Sequence, residues 1–398
     1  MLKEITESIL KLELWITNNG FAGYDPYDVR GQDWYIKLFG NENWLSGKAR
    51  SVLSVIEKQM PPILVRKALR IKKTINPKGM GLMACAYMSL YRSSGEKTYL
   101  KKSENILQWL TLNTSNGYPG VSWGYPFHWR SRLLIPRGTP SSVVTSVVGD
   151  AFLDHYQLTD SNESLKVALN IAEFFLRSLN RYEKNIDQVC FSYTPIDNFK
   201  VHNASLFVAA FLIRLWAFTG IEEYRKLAHN AARYTVSEQN ADGSFFYWGS
   251  ESPTIIDHYH TGFVLRHLDT IRRTSEESYL LEPLKRGYRF YLNKLFSKDN
   301  IPKHTPEILY PINIHSCSEA LLCLSQLAGD HKEFERIFSV AKFTIESMQT
   351  SDGYFIAEMR NGRFFYKNLP IPYMRWAQAW MLLALAKIKE NVVLSSMN

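Results

Sequence analysis

The densest cluster of reactive side chains lies at residues 257–261, Asp-His-Tyr-His-Thr, and runs directly into the apolar helical pattern "GFVLRHLDTI". An aspartate ahead of such a pattern caps a helix, and a carboxylate, two imidazoles and a phenol so close together can also move protons. Comparable groups open other apolar stretches: "TPSSVVT", "KVHNASL", "NIHSCSEA" and "PYMRWAQAW". These add His202, Asn203, His315, Arg375, Trp376 and Gln378 to Asp257, His258, Tyr259 and His260. Singly, each residue has a structural reading as a cap or a packed side chain. The informative feature is histidine at three successive helix starts, 56 or 57 residues apart.

A polar, aromatic loop at 116–140 contributes Trp123, Tyr125, His128 and Arg130. Aromatic rings stack on the apolar faces of a pyranose while planar polar groups meet its hydroxyls, so this composition suits a sugar; the same rings could instead pack the loop down. The segment "AGYDPYDVRG", residues 22–31, is similar in character and could line a site or seal the fold. Hydrolysis of a glycosidic bond needs two carboxyl groups flanking it. Asp257 is the best-placed candidate, with Asp25, Asp28, Asp197 and Glu319 as possible seconds, none at a diagnostic spacing. Tyrosine, histidine, asparagine and arginine together suit removal of the proton beside a uronic-acid carboxylate. The carboxylate must first be neutralised by arginine, asparagine or histidine, and a tyrosine or histidine then takes the proton.

The elements that must bring these residues together are repeated helical pairs. Five segments share one plan, an apolar helix, a short turn and a more charged helix, and a sixth apolar helix, "MRWAQAWMLLALAKIKENV", ends the chain. Taking Gly81, Ser142, Val201, His258, Ile314 and Met374 as starts, the intervals are 61, 59, 57, 56 and 60 residues. A buried helix alternating with an amphipathic one fits an inner and an outer ring. The unpaired last helix needs a partner, which residues 2–18 or 50–72 could supply. The expected organisation is one (α/α)6 toroid over 1–398, all-α with short strands in its rim loops. Residues 1–75 close the ring and 76–398 form the hairpins. All inner helix starts then meet at one end, where exposed backbone N–H groups favour anions.

With its period and motifs such as "DGSFFYW" and "DGYFIAEM", the sequence resembles the six-hairpin glycosidase-like superfamily over about residues 76–398. "GYDPYD", "HNA", "HTGF" and "MRWAQAW" resemble segments of uncharacterised toroid proteins of bacterial surface-polysaccharide biosynthesis. "IDHYHTGFVLRHLDTI" is similar in pattern to a segment in the toroidal domain of glucuronyl 5-epimerases, a resemblance that implies Tyr259 as the proton-transfer residue with His258 or His260 opposite, and Arg375, Asn203 and His202 on the carboxylate. These resemblances imply a carbohydrate-active enzyme acting on an acidic polysaccharide or oligosaccharide, as carbon-5 epimerase or lyase. A glycoside hydrolase and a non-catalytic glycan-binding toroid are the alternatives.

Composition agrees with this picture. The 398 residues are 45% hydrophobic and 14% aromatic, ample for a large core. A net charge of +9, from 47 basic against 38 acidic residues, favours an anionic partner. The basic residues are dispersed and form no nucleic-acid motif, so no nucleic acid is expected as a partner. No stretch of about 18 uninterrupted apolar residues suggests a transmembrane span. The first twenty residues lack signal-peptide features, so a cytoplasmic location is expected, with peripheral association with a glycan-assembly machinery as an option. Cys85, Cys190, Cys317 and Cys323 read as buried free thiols, and neither metal nor cofactor is expected.

Overall fold

The computed structural model describes residues 1–39, 60–249, 254–329, 331–361 and 368–395. In chain order the helices are α1 (Leu2–Asn19), α2 (Asp33–Phe39), α3 (Pro62–Ala68), α4 (Pro77–Ser94), α5 (Lys97–Leu112), α6 (Ser142–Thr159) and α7 (Asn162–Ser178). They continue with α8 (His202–Thr219), α9 (Glu222–Ser237), α10 (His258–Ser275), α11 (Leu281–Lys294), α12 (Ile314–Leu327), α13 (His331–Met348) and α14 (Trp380–Ser395). Helices α4, α6, α8, α10, α12 and α14 pack each on the next, and α14 packs back on α4, closing an inner ring. Outside it, α5, α7, α9, α11 and α13 each pack on the inner helix before them, and α1 packs on α14. The result is an (α/α)6 toroid.

The patterning explains the two layers. Helix α8 is buried at every position from His202 to Ile213, because it touches two inner neighbours, its outer partner and the barrel axis. It is also long and apolar enough to cross a membrane by composition, and most of it is enclosed by the protein. Helix α7 buries a single stripe, Ala168, Ile171, Ala172, Phe174 and Phe175, and leaves its charged face in water. Each large apolar side chain so buried contributes about 1.5–3 kcal/mol. Neighbouring inner helices approach closely where side chains are small: a Cβ at Gly149 would lie 2.5 Å from the Phe211 ring. The inner helices α4 and α8 end on Gly95 and Gly220, with φ of 73° and 68°. Asp160 and Glu276 adopt the same left-handed conformation after α6 and α10.

The connections from outer to inner helices carry the strands found among the described residues: β1 (Trp129–Arg130) with β2 (Leu134–Ile135), and β3 (Arg181–Asn185) with β4 (Gln188–Phe191). A third sheet joins β5 (Ile312–Asn313), β6 (Glu358–Met359) and β7 (Asn368–Leu369). Of the two segments offered as partner for the last helix, it is Leu2–Asn19 that packs there. The segment 50–72 falls partly outside the described residues, and its described part, Pro62–Ala68, serves the rim through Arg66. All four cysteines are buried free thiols.

Candidate active site

Six inner helices begin around one cavity of about 320 Å3. Each contributes to its wall: Lys78 from α4, Val143 from α6, Asn203 from α8, Tyr259, His260 and Phe263 from α10, His315 from α12, and Arg375 and Trp376 ahead of α14. Asp257, the N-cap of α10, also lies in the wall. Arg375 and Trp376 sit in a π-helical turn, Met374–Ala379, whose widened backbone carries the amide of Gln378 to the carbonyl of Tyr373. Rings of Tyr27, Tyr125, Phe127, Trp129, Tyr193 and Tyr247 complete the enclosure.

Asp257 performs two jobs with two oxygens. Oδ1 accepts the backbone N–H of His260 at 2.9 Å, capping the helix, and Oδ2 lies 2.6 Å from His260 Nδ1. Burial raises the Asp257 carboxyl, but His260 beside it outweighs burial and holds it below the ordinary carboxylate value. An ionised carboxylate only accepts, so the Nδ1 of His260 carries a proton and Nε2 is the ring nitrogen left to exchange one with a ligand. His315 is arranged likewise. Its backbone N–H is capped by Asn313 at 2.9 Å, and its Nδ1 donates to the carbonyl of Trp376 at 3.2 Å, again freeing Nε2. Burial, with Lys78 and Arg375 nearby, keeps His315 well below the ordinary histidine value and therefore neutral.

Tyr259 stands between the two imidazoles, with ring centroids 4.3 Å from His260 and 4.8 Å from His315. Burial, then Asp257 and the neighbouring tyrosines, push its phenol well above the usual value, which keeps it a hydrogen-bond donor at neutral pH. Trp376 stacks on His315 at 4.4 Å and donates its indole N–H to Asn313. Asn203 is buried, with Oδ1 unpartnered among the described residues.

Arg375 is clamped side-on by Asp25, Nε to Oδ2 at 2.6 Å and a terminal nitrogen to Oδ1 at 2.8 Å, both residues being 3% exposed. Arg66 makes the parallel contact with Asp28 and also donates to the Tyr373 hydroxyl. The "GYDPYD" segment thus both fastens the amino-terminal region to the last inner helix and lends Tyr27 to the cavity. Tyr27, Tyr259 and Trp376 also border a second cavity of about 340 Å3, so the three rings partition a longer groove.

Several residues singled out in the sequence lie elsewhere. His258 points outward between the rings of Tyr291 and Phe296, at 4.8 and 5.0 Å, and burial lowers it to about 3. His202 packs on Tyr234 and Phe245 and is lowered by burial to about 4; neither residue lines the cavity. Gln378 clasps Phe355 through both backbone groups, and Trp123 is buried with its indole N–H on the Leu110 carbonyl. His128 ties the 116–140 loop together through Asp33 and the Arg137 amide, and Arg130 sits on β1 outside the cavity. Of that loop, Tyr125, Phe127 and Trp129 reach the wall. The possible second carboxylates are all engaged: Asp25 by Arg375, Asp28 by Arg66, Glu319 by Arg266, and Asp197 by the backbone of Tyr193, Thr194 and Phe199.

Lys78 is the functional-looking residue that sequence reasoning passed over. Helix α4 starts at Pro77, capped by Asn76, four residues ahead of the Gly81 taken as its start. The "NPK" signal, a cap followed by proline, was present in the sequence.

The (α/α)6 toroid fold is shared with carbohydrate enzymes of known structure. Cellobiose 2-epimerase from Bacillus thermoamylovorans matches with a TM-score of 0.61 at 13% identity, over 79% of this chain and 88% of its own. A GH76 α-mannanase from Bacteroides thetaiotaomicron matches with a TM-score of 0.63 at 13% identity, over 91% and 99%. A possible GH105 member from Salmonella enterica matches with 0.65 at 10% identity, over 98% and 95%. No protein-family model matches the chain, and no curated protein sequence does. At these identities the likeness is one of fold.

Proposed function

We propose that this protein is a carbohydrate-active enzyme that moves a proton at carbon 5 of a uronic acid in an acidic glycan, as an epimerase or lyase. The observation that carries the reading is the pair of imidazoles, His260 and His315, in one sugar-sized cavity, each anchored through Nδ1 with Nε2 left as a base. Either base suits removal of the proton from the carbon, and its return to the other side falls to a group that enters the step protonated, the Tyr259 phenol. Tyr259, held protonated between them, supplies a donor to a ring or leaving-group oxygen, and the aromatic wall accommodates the pyranose faces. The assignment differs from the sequence expectation in giving the base role to His260 and His315 instead of Tyr259. The epimerase and hydrolases of like fold support carbohydrate chemistry in general. Two-carboxylate hydrolysis is the second reading: Asp257 is the one carboxylate among the described residues of this cavity, and Glu358 lines the adjoining one.

Incubation with uronate-containing polysaccharides in heavy water tests the reading. Deuterium at carbon 5, or an unsaturated product absorbing in the ultraviolet, is expected, with loss of either in His260→Gln. Release of reducing ends without carbon-bound deuterium would replace this reading with hydrolysis.

A further inference from the structure

Two long basic side chains line the cavity, and they differ in one respect. The guanidinium of Arg375 is matched by Asp25 through two hydrogen bonds. Lys78, 4% exposed, has no carboxylate or hydrogen-bond acceptor at its Nζ among the described residues. Three ring faces surround it instead: Trp380 at 5.2 Å, Phe207 at 5.7 Å and Phe263 at 5.8 Å from Nζ to centroid. Such faces favour an ammonium without neutralising it. Its nearest anionic influences, Asp25 and Glu319, are already spent on Arg375 and Arg266. A buried charge without a counter-ion is expensive, and a ligand can supply what the chain withholds.

We infer that Lys78 is the docking point for the substrate's carboxylate, so that the cavity is completed by an anionic sugar and discriminates against its neutral counterpart. This rests on the proposed proton transfer for its chemical purpose, though not for its geometry. Burial and Arg375 hold the empty-site ammonium well below the usual lysine value, and a bound carboxylate reverses that penalty. In the reaction, Nε2 of one imidazole takes the proton from the carbon bonded to the carboxylate. The C–H electron pair moves into the carboxylate, which becomes an enediolate. The Lys78 ammonium faces that added charge and stabilises it. Return of a proton to the opposite face from the Tyr259 hydroxyl, which then regains one from the imidazolium, restores the carboxylate with inverted configuration and both side chains to their starting states. No bond to the enzyme forms and nothing is oxidised or reduced.

The test is a calorimetric panel of glucuronate, galacturonate, mannuronate and guluronate glycosides, each against its methyl ester. With wild-type protein, at least one acid is expected to bind about tenfold or more tightly than its ester, the range of one charge-assisted contact. That preference should vanish in Lys78→Met and survive in Lys78→Arg. The wild-type comparison stands even if Lys78→Met does not fold, and Lys78→Gln then provides the neutral variant. Absence of acid-over-ester preference in every pair, or an undiminished preference in the neutral variant, overturns the assignment. Deuterium exchange separates the two claims. Preference without exchange removes the proposed reaction and leaves the anion site, whereas exchange at wild-type rate in Lys78→Met removes Lys78 from the chemistry.

Discussion

Replacing Asp257 by asparagine separates the structural from the chemical role of that residue. Asparagine caps helices about as well as aspartate, so the hydrogen bond from the His260 backbone to the side-chain oxygen, 2.9 Å in the native protein, is retained. The second oxygen, 2.6 Å from Nδ1, becomes an NH2 group that can only donate. Nδ1 must then accept, and the ring proton moves to Nε2, turning the cavity-facing base into a donor. Stability should change by less than about 1 kcal/mol, while turnover should fall by about 100- to 10,000-fold, the span from loss of one general base to a wrong tautomer in a catalytic dyad. Nitrogen-15 spectra of the histidine rings read the tautomer directly and need no substrate; thermal melting and deuterium incorporation supply the other two quantities. Spectra showing His260 still protonated on Nδ1 in Asp257→Asn, or wild-type exchange, would refute the reasoning.

Asp25→Ala strands a buried guanidinium and should cost about 3–5 kcal/mol, or about 5 °C in melting temperature for a chain of this size. Adding Arg375→Met should recover much of that loss, and equal melting of the two variants would show the ion pair to be uncoupled. Burial leaves His202 at about 4 and His258 at about 3, below the ordinary 6.5. The unfolded chain therefore binds more protons than the folded one below pH 6.5, and the stability present above that value is lost as pH falls. Between pH 6.5 and 5 each histidine removes about 1.6 kcal/mol. Urea unfolding at both pH values, with His202→Phe/His258→Phe lacking about 3 kcal/mol of the wild-type change, checks this; an unaltered pH dependence would contradict it. Because His258 faces Tyr291 and Phe296, His258→Phe should keep full activity, in contrast to His260→Gln.

The sequence alone determined the ring. A helix apolar on all sides is stable only when surrounded, an amphipathic one only at a surface, and their alternation at a period near 60 residues leaves few arrangements other than a double-layered toroid. The same period put Asn203, Tyr259, His260, His315 and Arg375 at one rim, where they are found. Side-chain direction at that rim was decided by tertiary structure. Successive residues turn about 100° around a helix, so His258 and His260 diverge by about 200°, and only packing against α11 settles which of them faces the axis. Charge matching was equally non-local. Asp25 and Arg375 are 350 residues apart, and their pairing is what leaves Lys78, which the cap signal places at a helix start without marking it as unpaired, lacking an anion among the described residues.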